Sequence, residues 1–571
     1  MSSIKSKNRD QENNNSLDES KILIVSKTNG QSENAALNYD TAIQERIGQF
    51  GTHGMFMLLT VELGMVIVCG CMLSPSYHKI GSQWNCSSSL SALSNDGNNN
   101  NSNNNIIVVL TMSNNSLDSG DDSCKCPKSD RNHVMDKDGF RSLSRDFQLI
   151  CGRKYLASLL ATLIMVGGLC GAVVFGHLAD SYGRKYISIA CFSGTLLFSF
   201  VFMWSISYAM AAVLITIMGF FGAGYMVVAI AVLIEFVGRD KRLLVSCLHG
   251  WPYGLMFMAL LGFITRSWRF YHLGLSICGL PLLVAWFFTV ESPRWLIRKN
   301  RLQEAKTVIE TIARRNRRLS PFGKNGANDG SLQLLQKLYE QESRNRDKIA
   351  NFTYLDLVRD PQIRKRTLIM VYSWFTSGLI SWGIYVNVGS FAGIVYLNLF
   401  YVGLGKAIAS LTPLLVNLRF GRRPVIIIAI TIVLFCMWAI VGLMIYTTTH
   451  PSSNEKPRLE STITILAIIG ISAMDPAWKI NHLYANELFP TVIRSMANGV
   501  CNVSARLAAL IAPQIMYISE WYMPAPFILF GCITLGLWFA LTMAIPETKG
   551  LPLMDSMPIE KHNRGHNLIK S

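Results

Sequence analysis

The chain has 571 residues, of which 50% are apolar and only 16% are charged, and its mean hydropathy is positive. This composition argues against a soluble protein of that length and predicts an all-α membrane protein with the lipid bilayer as its partner. A net charge of +17 would fit a nucleic-acid-binding protein. However, the Lys and Arg residues gather in alternate segments between apolar stretches, so no nucleic-acid partner is expected.

About 20 apolar residues in a helix cross the roughly 30 Å hydrocarbon core of a bilayer. The sequence contains twelve stretches of this kind, and we predict twelve transmembrane helices. Their approximate bounds are 55–75, 155–177, 186–204, 209–234, 243–265, 269–290, 367–388, 391–416, 424–446, 461–484, 495–517 and 524–545. No N-terminal signal peptide is expected, because a long polar segment precedes the first of many spans.

The spans divide the chain into a disordered cytoplasmic N-terminus, a six-helix bundle, a cytoplasmic linker, a second six-helix bundle and a cytoplasmic tail. The predicted bounds of these segments are 1–46, 47–296, 297–366, 367–548 and 549–571. In the linker, apolar residues recur at helical spacing between charged ones, which is typical of amphipathic surface helices. Because basic segments tend to be cytoplasmic, both termini are predicted to be cytoplasmic and the polar loop 76–154 extracellular.

The loop 76–154 carries two features of extracellular segments. Three Asn-X-Ser sequences are candidate N-glycosylation sites, at Asn85, Asn100 and Asn114. The loop also contains four cysteines, which can pair in three ways in an oxidising compartment, and we expect at least one disulfide. These disulfide candidates are Cys86, Cys124, Cys126 and Cys151.

Three charged motifs of the first six helices recur in the last six, in the same order and at separations of 238 to 256 residues. This pattern indicates a duplicated six-helix unit, as in transporters whose halves rock about a central site. The paired motifs are "GRK" and "GRR", starting at Gly183 and Gly421; Glu235 with Arg242, and Glu487 with Arg494; and "ESPRW" and "PETKG", starting at Glu291 and Pro546.

These turns supply candidate gating residues. Gly176 and Gly183 are predicted to allow close helix approach and a tight turn, and Asp180 to accept hydrogen bonds from Arg184 or a neighbouring arginine. We hypothesise that the charged residues form cytoplasmic ion-pair latches; the alternative is that they only set the topology. The gating candidates are Gly176, Asp180, Gly183, Arg184, Glu235, Arg242, Glu291, Arg294, Arg422, Glu487 and Arg494.

The sequence "GHLADSYGRK", which begins at Gly176, resembles the signature between helices 2 and 3 of the major facilitator superfamily. "IGQFGTHG", "FTVESPRWLIRKNRLQEA", "NELFPTVIRSMANG" and the long first loop are similar to the organic cation, anion and carnitine transporters, solute carrier family 22. This resemblance implies two pseudo-symmetric six-helix bundles that carry small organic ions across the plasma membrane. The sugar porters share two of these elements, but their Gln-Gln-Leu-Ser-Gly signature is absent from helix 7. Leu418 stands where many relatives have Asp.

Two basic residues lie near the middle of predicted helices, Arg506 in helix 11 and Lys406 in helix 8. An ionisable side chain there costs roughly 2.5–3.5 kcal/mol on insertion, so it is expected to face a cavity. Their charges favour an organic anion or a zwitterion such as carnitine, and the resemblance implies the same for a basic residue at Arg506. Glu62 and Asp475 leave two alternatives open, namely internal ion pairs with these bases and an organic cation as substrate.

Aromatic side chains of helices 5 and 7 are candidates for an adaptable pocket around an organic ion, with ordinary packing as the alternative. These residues are Tyr372, Trp374, Phe375, Trp382 and Tyr385 on helix 7, and Trp251 and Tyr253 on helix 5. The sequence has no P-loop, no clustered metal ligands and no nucleophile with a nearby base, so we expect no enzyme activity, cofactor or metal. A transport-inactive receptor or sensor is the alternative from another class.

Overall fold

The computed structural model of the chain describes most of the predicted spans and linker. The described residues are 39, 43–44, 47–48, 51–78, 80, 82–86, 131–149, 151–237, 245, 247–318, 328–350, 353–413, 421–450, 455–490 and 492–549. The predicted disorder of 1–46 and the tail 549–571 therefore fall almost entirely outside the described residues. The same is true of Asn100, Asn114, Cys124, Cys126 and Arg242, and of the side chains of Asn85, Cys86 and Cys151.

Twelve long helices follow the twelve predicted spans in order. They are α1 (Thr52–Leu73), α2 (Lys154–Tyr182), α3 (Arg184–Phe202), α4 (Tyr208–Phe236), α5 (Trp251–Thr265), α6 (Trp268–Phe287), α7 (Pro361–Asn387), α8 (Val395–Ser410), α9 (Arg422–Thr449), α10 (Lys456–Glu487), α11 (Arg494–Tyr517) and α12 (Ala525–Ala544). Ten of them are long and apolar enough to cross a bilayer. The other two, α5 and α8, have 15 and 16 residues and are shorter than predicted. Pro252 in the first turn of α5 fits its late start, because proline suits that position.

Short elements connect these helices. The strands β1 (Ser82–Cys86) and β2 (Arg131–Asp136) pair antiparallel between α1 and α2. The α-helices outside these twelve are Pro75–His78, Leu143–Asp146, Pro293–Arg298, Leu302–Arg315, Asn328–Ala350 and Asp356–Arg359. Helix Leu302–Arg315 confirms the amphipathic pattern predicted for the linker, since Ala305, Ile309 and Ile312 are buried on one side of it.

The helices form two sets of six. In the first set α4 packs against α1, α2 and α3, and in the second α7 packs against α10, α11 and α12. The two halves meet mainly where α5 contacts α8 and α2 contacts α11. A close helix approach lies at Gly167 and Gly171 of α2, where an added Cβ would lie 1.9 Å from the carbonyl oxygens of Thr216 and Phe220 on α4. Small residues at four-residue spacing permit such contacts between membrane helices.

The bundle has two distinct ends. We call the end that holds segment 131–149 the loop end, and the end that holds the turns at Gly183 and Gly421 the basic end. At the loop end the halves are joined by hydrogen bonds from Ser76 Oγ to the carbonyl of Tyr385, 2.8 Å, and from Gln514 Nε2 to Thr162 Oγ1, 2.9 Å. An exposed ion pair between Lys154 and Glu520, 2.8 Å, also joins them.

Candidate functional site

A buried ion pair lies between two helices of the second half. Lys406 on α8 and Asp475 on α10 are 2% and 6% exposed, and Nζ lies 3.1 Å from Oδ1. Lys406 Nζ also lies 5.7 Å from the ring centre of Tyr385. Asp475 Oδ2 is buried and has no hydrogen-bond partner among the described residues. Lys406 therefore has the internal partner that the sequence left open as an alternative to substrate contact.

Glu62 of α1 lies in the first half, on the other side of the boundary. Its Oε2 accepts a hydrogen bond from the backbone N–H of Gly250, 2.6 Å, and lies 3.3 Å from His249 Nδ1. His249 in turn interacts electrostatically with Asp475 of the second half. Carboxylates of both halves therefore face the same region of the boundary, and each has a nitrogen partner.

Arg506 differs from these charges. It is half-buried at the middle of α11, one helical turn before Leu510. The carbonyl oxygen of Leu510 accepts a hydrogen bond from Thr162 Oγ1 on α2, 3.4 Å. Because residues four apart share a helix face, Arg506 also faces the boundary between the halves. Within the described part of the chain, Arg506 makes neither an ion pair nor a hydrogen bond, so its charge is not compensated there.

Three of the predicted aromatic residues reach this boundary. Trp382 and Tyr385 of α7 face Trp251 of α5, with ring centres 5.8 and 6.5 Å from it. Trp251 is anchored to the first half, since its carbonyl oxygen lies 3.6 Å from Cys69 Sγ, which donates to it. These three rings form an aromatic contact between the halves next to Lys406.

The other aromatic candidates do not reach the boundary in this way. The Tyr372 hydroxyl donates to the carbonyl of Ile533 on α12, 2.7 Å, within the second half. Trp374 is buried inside the second half, edge-on to Trp478 and His482 of α10. Phe375 is half-buried against the hydrophobic core. The spacing of the aromatic residues in α7 does not reveal which face of that helix meets the other half.

The basic end holds a compact charge cluster in the first half. Arg184, the first residue of α3, forms an ion pair with Glu235 at the end of α4. The Ser292 hydroxyl donates to the same carboxylate. Both charged side chains are about nine-tenths buried, which strengthens their attraction relative to an exposed pair.

A second glutamate of this cluster caps α3. Glu291 accepts hydrogen bonds from the backbone N–H groups of Arg184, 3.2 Å, and Lys185, 3.1 Å. Gly183 has a φ of +111°, and an added Cβ would lie 2.7 Å from Glu291 Oε2, so this turn requires glycine. Burial, helped by the nearby Glu235, raises the pKa of Glu291, although these backbone donors oppose the rise.

The second half repeats this arrangement. Arg422 of α9 pairs with Glu487 at the end of α10, 2.9 Å, and the Thr548 hydroxyl donates to Glu487. Glu547 accepts hydrogen bonds from the backbone N–H groups of Arg422, 3.0 Å, and Arg423, 2.9 Å. Partial burial raises the pKa of Glu547, but these donors outweigh it and hold the pKa below its ordinary value. The two arginine–glutamate pairs and the two capping glutamates therefore have matching contacts in three dimensions, while Arg242 lies outside the described residues.

Comparison with known proteins identifies the architecture. Residues 108–558 match the family described as Sugar (and other) transporter. Solute carrier family 22 member 4 of Mus musculus is 30% identical over 435 residues, which cover 75% of this chain and 74% of that protein. The chain belongs to solute carrier family 22.

Further relatives agree with this membership. An uncharacterised protein of Caenorhabditis elegans is 32% identical and covers 74% of this chain, with 82% of its own length matched. Solute carrier family 22 member 16 of Xenopus laevis is 29% identical over 73% of this chain and 70% of its own. The solved structure of the proton:xylose symporter XylE has a TM-score of 0.58 at 14% identity, over 88% of this chain and 98% of that one, which shows the major facilitator fold.

As a member of solute carrier family 22, the chain is a multi-pass membrane transporter, and its relatives are transporters rather than enzymes. In that fold the halves move against each other about a site at their boundary. The boundary residues of this transporter are Trp251, Trp382 and Tyr385, with Glu62, His249, Lys406, Asp475 and Arg506 beside them.

Some gating candidates of this solute carrier lie differently from prediction. Gly176 was predicted to allow close helix approach, but an added Cβ there would meet only Val227, at 3.9 Å, so the prediction is wrong. The close approach lies at other glycines of α2, because it depends on where the helices cross. Asp180 accepts a hydrogen bond from Arg184, 3.4 Å, which confirms the prediction for this residue. Its side chain is 65% exposed, however, and Glu235 is the buried partner of Arg184.

The remaining gating candidates have other contacts. Arg294 lies over the ring of Tyr39, 4.6 Å from its centre. Arg494 donates to the carbonyl of Phe489, 3.4 Å. Sequence reasoning missed the hydroxyls of Ser292 and Thr548. The available signal was their shared position directly after the duplicated glutamates.

Proposed function

We propose that this transporter carries small organic ions that contain a carboxylate, namely organic anions or zwitterions such as carnitine, across the plasma membrane by alternating access. The observation that carries the proposal is the uncompensated guanidinium of Arg506 at the boundary between the halves. A guanidinium is always protonated and offers a fork of donors that matches a carboxylate.

The other charges at the boundary support this preference because they are largely balanced. Lys406 is paired with Asp475, and Glu62 has His249 and a backbone N–H as partners. Separating such a pair leaves an unpaired charge in a medium of low dielectric constant, which is unfavourable. Both pairs are therefore expected to stay intact when a substrate enters. Arg506 then supplies the attraction that an entering anion experiences.

A second candidate is an organic cation as substrate, and Asp475 favours it. One carboxylate oxygen of Asp475 already binds Lys406, while the buried Oδ2 has no partner among the described residues. An ammonium group could use that oxygen. A zwitterion would satisfy Arg506 and Asp475 together, whereas a simple cation would leave Arg506 unpaired.

The test is uptake of a labelled organic anion, a labelled organic cation and labelled carnitine by cells that express wild type or Arg506→Asp. We expect wild type to take up the anion or carnitine, and the variant to lose at least about thirtyfold, as for the loss of a buried charge partner. Arg344→Asp is the matched control, since Arg344 is exposed on a linker helix. Uptake of the cation alone, unchanged by Arg506→Asp, would refute the proposal.

We propose further that the basic end is cytoplasmic, that both termini are cytoplasmic and that segment 76–154 is extracellular. The tendency of basic segments to remain inside the cell supports this orientation. Epitope tags placed in segments 76–154 and 297–366 test it in intact cells. Antibody binding should occur only for the first tag, and two tags reached from the same side would contradict the orientation.

The two charge clusters at the basic end are proposed to hold each half rigid while the halves rock. This role is supported by partners that lie in one half, Arg184 with Glu235 and Arg422 with Glu487. Glu235→Gln and Glu487→Gln should slow transport while surface expression is retained. Glu304→Gln, in an exposed pair with Arg301, is the control. Equal transport rates in all variants would mean that the two clusters only set the membrane topology.

A further inference from the structure

A cavity of about 320 Å³ opens at the basic end, away from the boundary between the halves. It lies between the start of α1, the residue after α6 and the end of helix Leu302–Arg315. The residues that line it are Thr52, His53, Phe56, Phe288 and Arg315. None of these described lining residues is acidic, so the lining carries the positive charge of Arg315.

Specific contacts build this cavity. Asn316 Oδ1 accepts the backbone N–H of His53, 2.9 Å, and Asn316 Nδ2 donates to the carbonyl of Ile47, 2.9 Å. The Thr52 hydroxyl donates to the main-chain carbonyl of Arg315. An added Cβ on Gly51 would lie 2.3 Å from Asn316, so the linker helix sits directly against the start of α1.

The polar wall of the cavity is cationic, and His53 behind it holds a buried hydrogen-bond donor that has no acceptor among the described residues. Arg315 Nη1 donates to the carbonyl of Phe288, 3.1 Å, and lies 3.3 Å from His53 Nδ1. Beside this donor Nδ1 acts as an acceptor, so in the neutral ring the proton is on Nε2. His53 is only 3% exposed, and its Nε2 has no partner among the described residues. Lys185 lies within electrostatic range of Arg315, but it interacts more strongly with Glu291, so Arg315 is the main positive charge of the cavity.

The opposite wall is aromatic and faces outward. Phe288 is 64% exposed and Phe56 is half-buried. Both lie where α1 begins and α6 ends, which is the level of the lipid headgroups for helices that span a bilayer. A site with a cationic pole and an exposed apolar wall at that level matches an amphiphile and not a small hydrophilic ion.

We propose that this cavity binds the phosphate headgroup of an anionic phospholipid in the adjacent leaflet. The phosphate oxygens accept from the exposed guanidinium of Arg315, the positive end of the α1 dipole adds attraction, and the glycerol and first methylenes pack on Phe56 and Phe288. A lipid held there contacts α1, α6 and the linker helix at once. Assigning that leaflet to the cytoplasmic side rests on the proposed orientation, but the binding itself does not.

Native mass spectrometry of the full-length protein in detergent tests the site without any transport substrate. The probes are dioleoyl phosphatidylserine, dioleoyl phosphatidylcholine and inorganic phosphate. We expect a phosphatidylserine adduct on wild type that Arg315→Gln weakens about fivefold, because one basic side chain contributes on the order of 1 kcal/mol to such binding. Arg344→Gln, which removes an equal charge outside the cavity, should bind as wild type does.

Thr52→Glu is the second variant. A carboxylate in the first turn of α1 favours the helix dipole and so preserves folding, while it repels an anionic ligand. The adduct should therefore be lost even if Arg315→Gln fails to fold. Equal phosphatidylserine binding by wild type and Thr52→Glu would overturn the site. Displacement of the lipid by inorganic phosphate at equal concentration would overturn its assignment to a lipid.

Discussion

Asp138 accepts a hydrogen bond from the backbone N–H of Val395 at 3.0 Å, although the two residues belong to opposite halves of the molecule. Val395 is the first residue of α8, and no side chain of the helix itself caps that end. Phe140, two residues after Asp138, stacks on Tyr77 with ring centres 4.9 Å apart, and lies 6.4 Å from Tyr396 of α8. The segment between α1 and α2 thus holds the loop end of the second half.

Replacement of Asp138 by Ala should release the start of α8. Loss of an N-terminal cap costs about 1 kcal/mol, so the Val395 amide should exchange its hydrogen about fivefold faster. Hydrogen–deuterium exchange on peptides that contain residues 388–398 measures this. Asp356→Ala, which removes an acceptor from Thr353 at the basic end, should leave those peptides unchanged. Equal exchange in both variants would mean that Asp138 does not hold α8.

The pair of Lys406 and Asp475 is expected to respond asymmetrically to substitution. Lys406→Met leaves a buried carboxylate unpaired and should lower the free energy of unfolding by about 3–5 kcal/mol. Lys406→Met combined with Asp475→Leu removes both charges and should recover most of that loss. Thermal melting of the purified variants gives the comparison. A double variant no more stable than the single one would exclude a simple ion pair.

Tight packing of α2 on α4 predicts a large effect at Gly171. An alanine there would force the two backbones apart, since its Cβ would lie 1.9 Å from the Phe220 carbonyl oxygen, and should cost about 1–3 kcal/mol. Gly442→Ala in α9 is the control, because nothing lies within 4 Å of its added Cβ. Melting temperatures should fall only for the first variant. Equal values would show that α2 and α4 can separate freely.

The two glutamates that cap α3 and α9 should titrate in different ranges. The raised pKa of Glu291 means that its contribution to stability is full below its ordinary pKa and is lost as the pH rises through the raised one. The lowered pKa of Glu547 means the reverse: its contribution is full above the ordinary pKa and is lost as the pH falls through the lowered one. On acidification Glu291 therefore gains its proton first.

Infrared titration of the carboxyl bands tests this order. The band that disappears in Glu291→Gln should titrate at a higher pH than the band that disappears in Glu547→Gln. Glu304→Gln, at an exposed site of the linker, marks the band of a solvated glutamate. The reverse order of the two capping bands would show that burial matters less at Glu291 than the backbone hydrogen bonds do.

Sequence patterns located the spans and the duplicated turns well, for physical reasons. A membrane helix needs a long apolar stretch, and a turn such as that at Gly183 needs a residue without a Cβ, so both leave direct traces in the chain. The match between Glu291 and Glu547 was also visible, because Glu291 has to reach the first backbone N–H groups of α3 and Glu547 those of α9.

The direction of individual side chains was not visible in the sequence. In α7 aromatic side chains point toward different neighbours, so periodicity could not separate Tyr372, which reaches α12, from Trp382, which meets α5. Partner choice was equally hidden: Arg184 has two acidic residues in reach, and only folding decides that Glu235 is the buried one.

The matching contacts of Arg184 and Arg422 give this molecule an internal reference. The effect of a substitution in one copy can be compared with the unchanged second copy in the same polypeptide, at the same expression level, temperature and lipid composition. If equivalent substitutions in the two copies have different effects on transport, the two duplicated turns have acquired different roles.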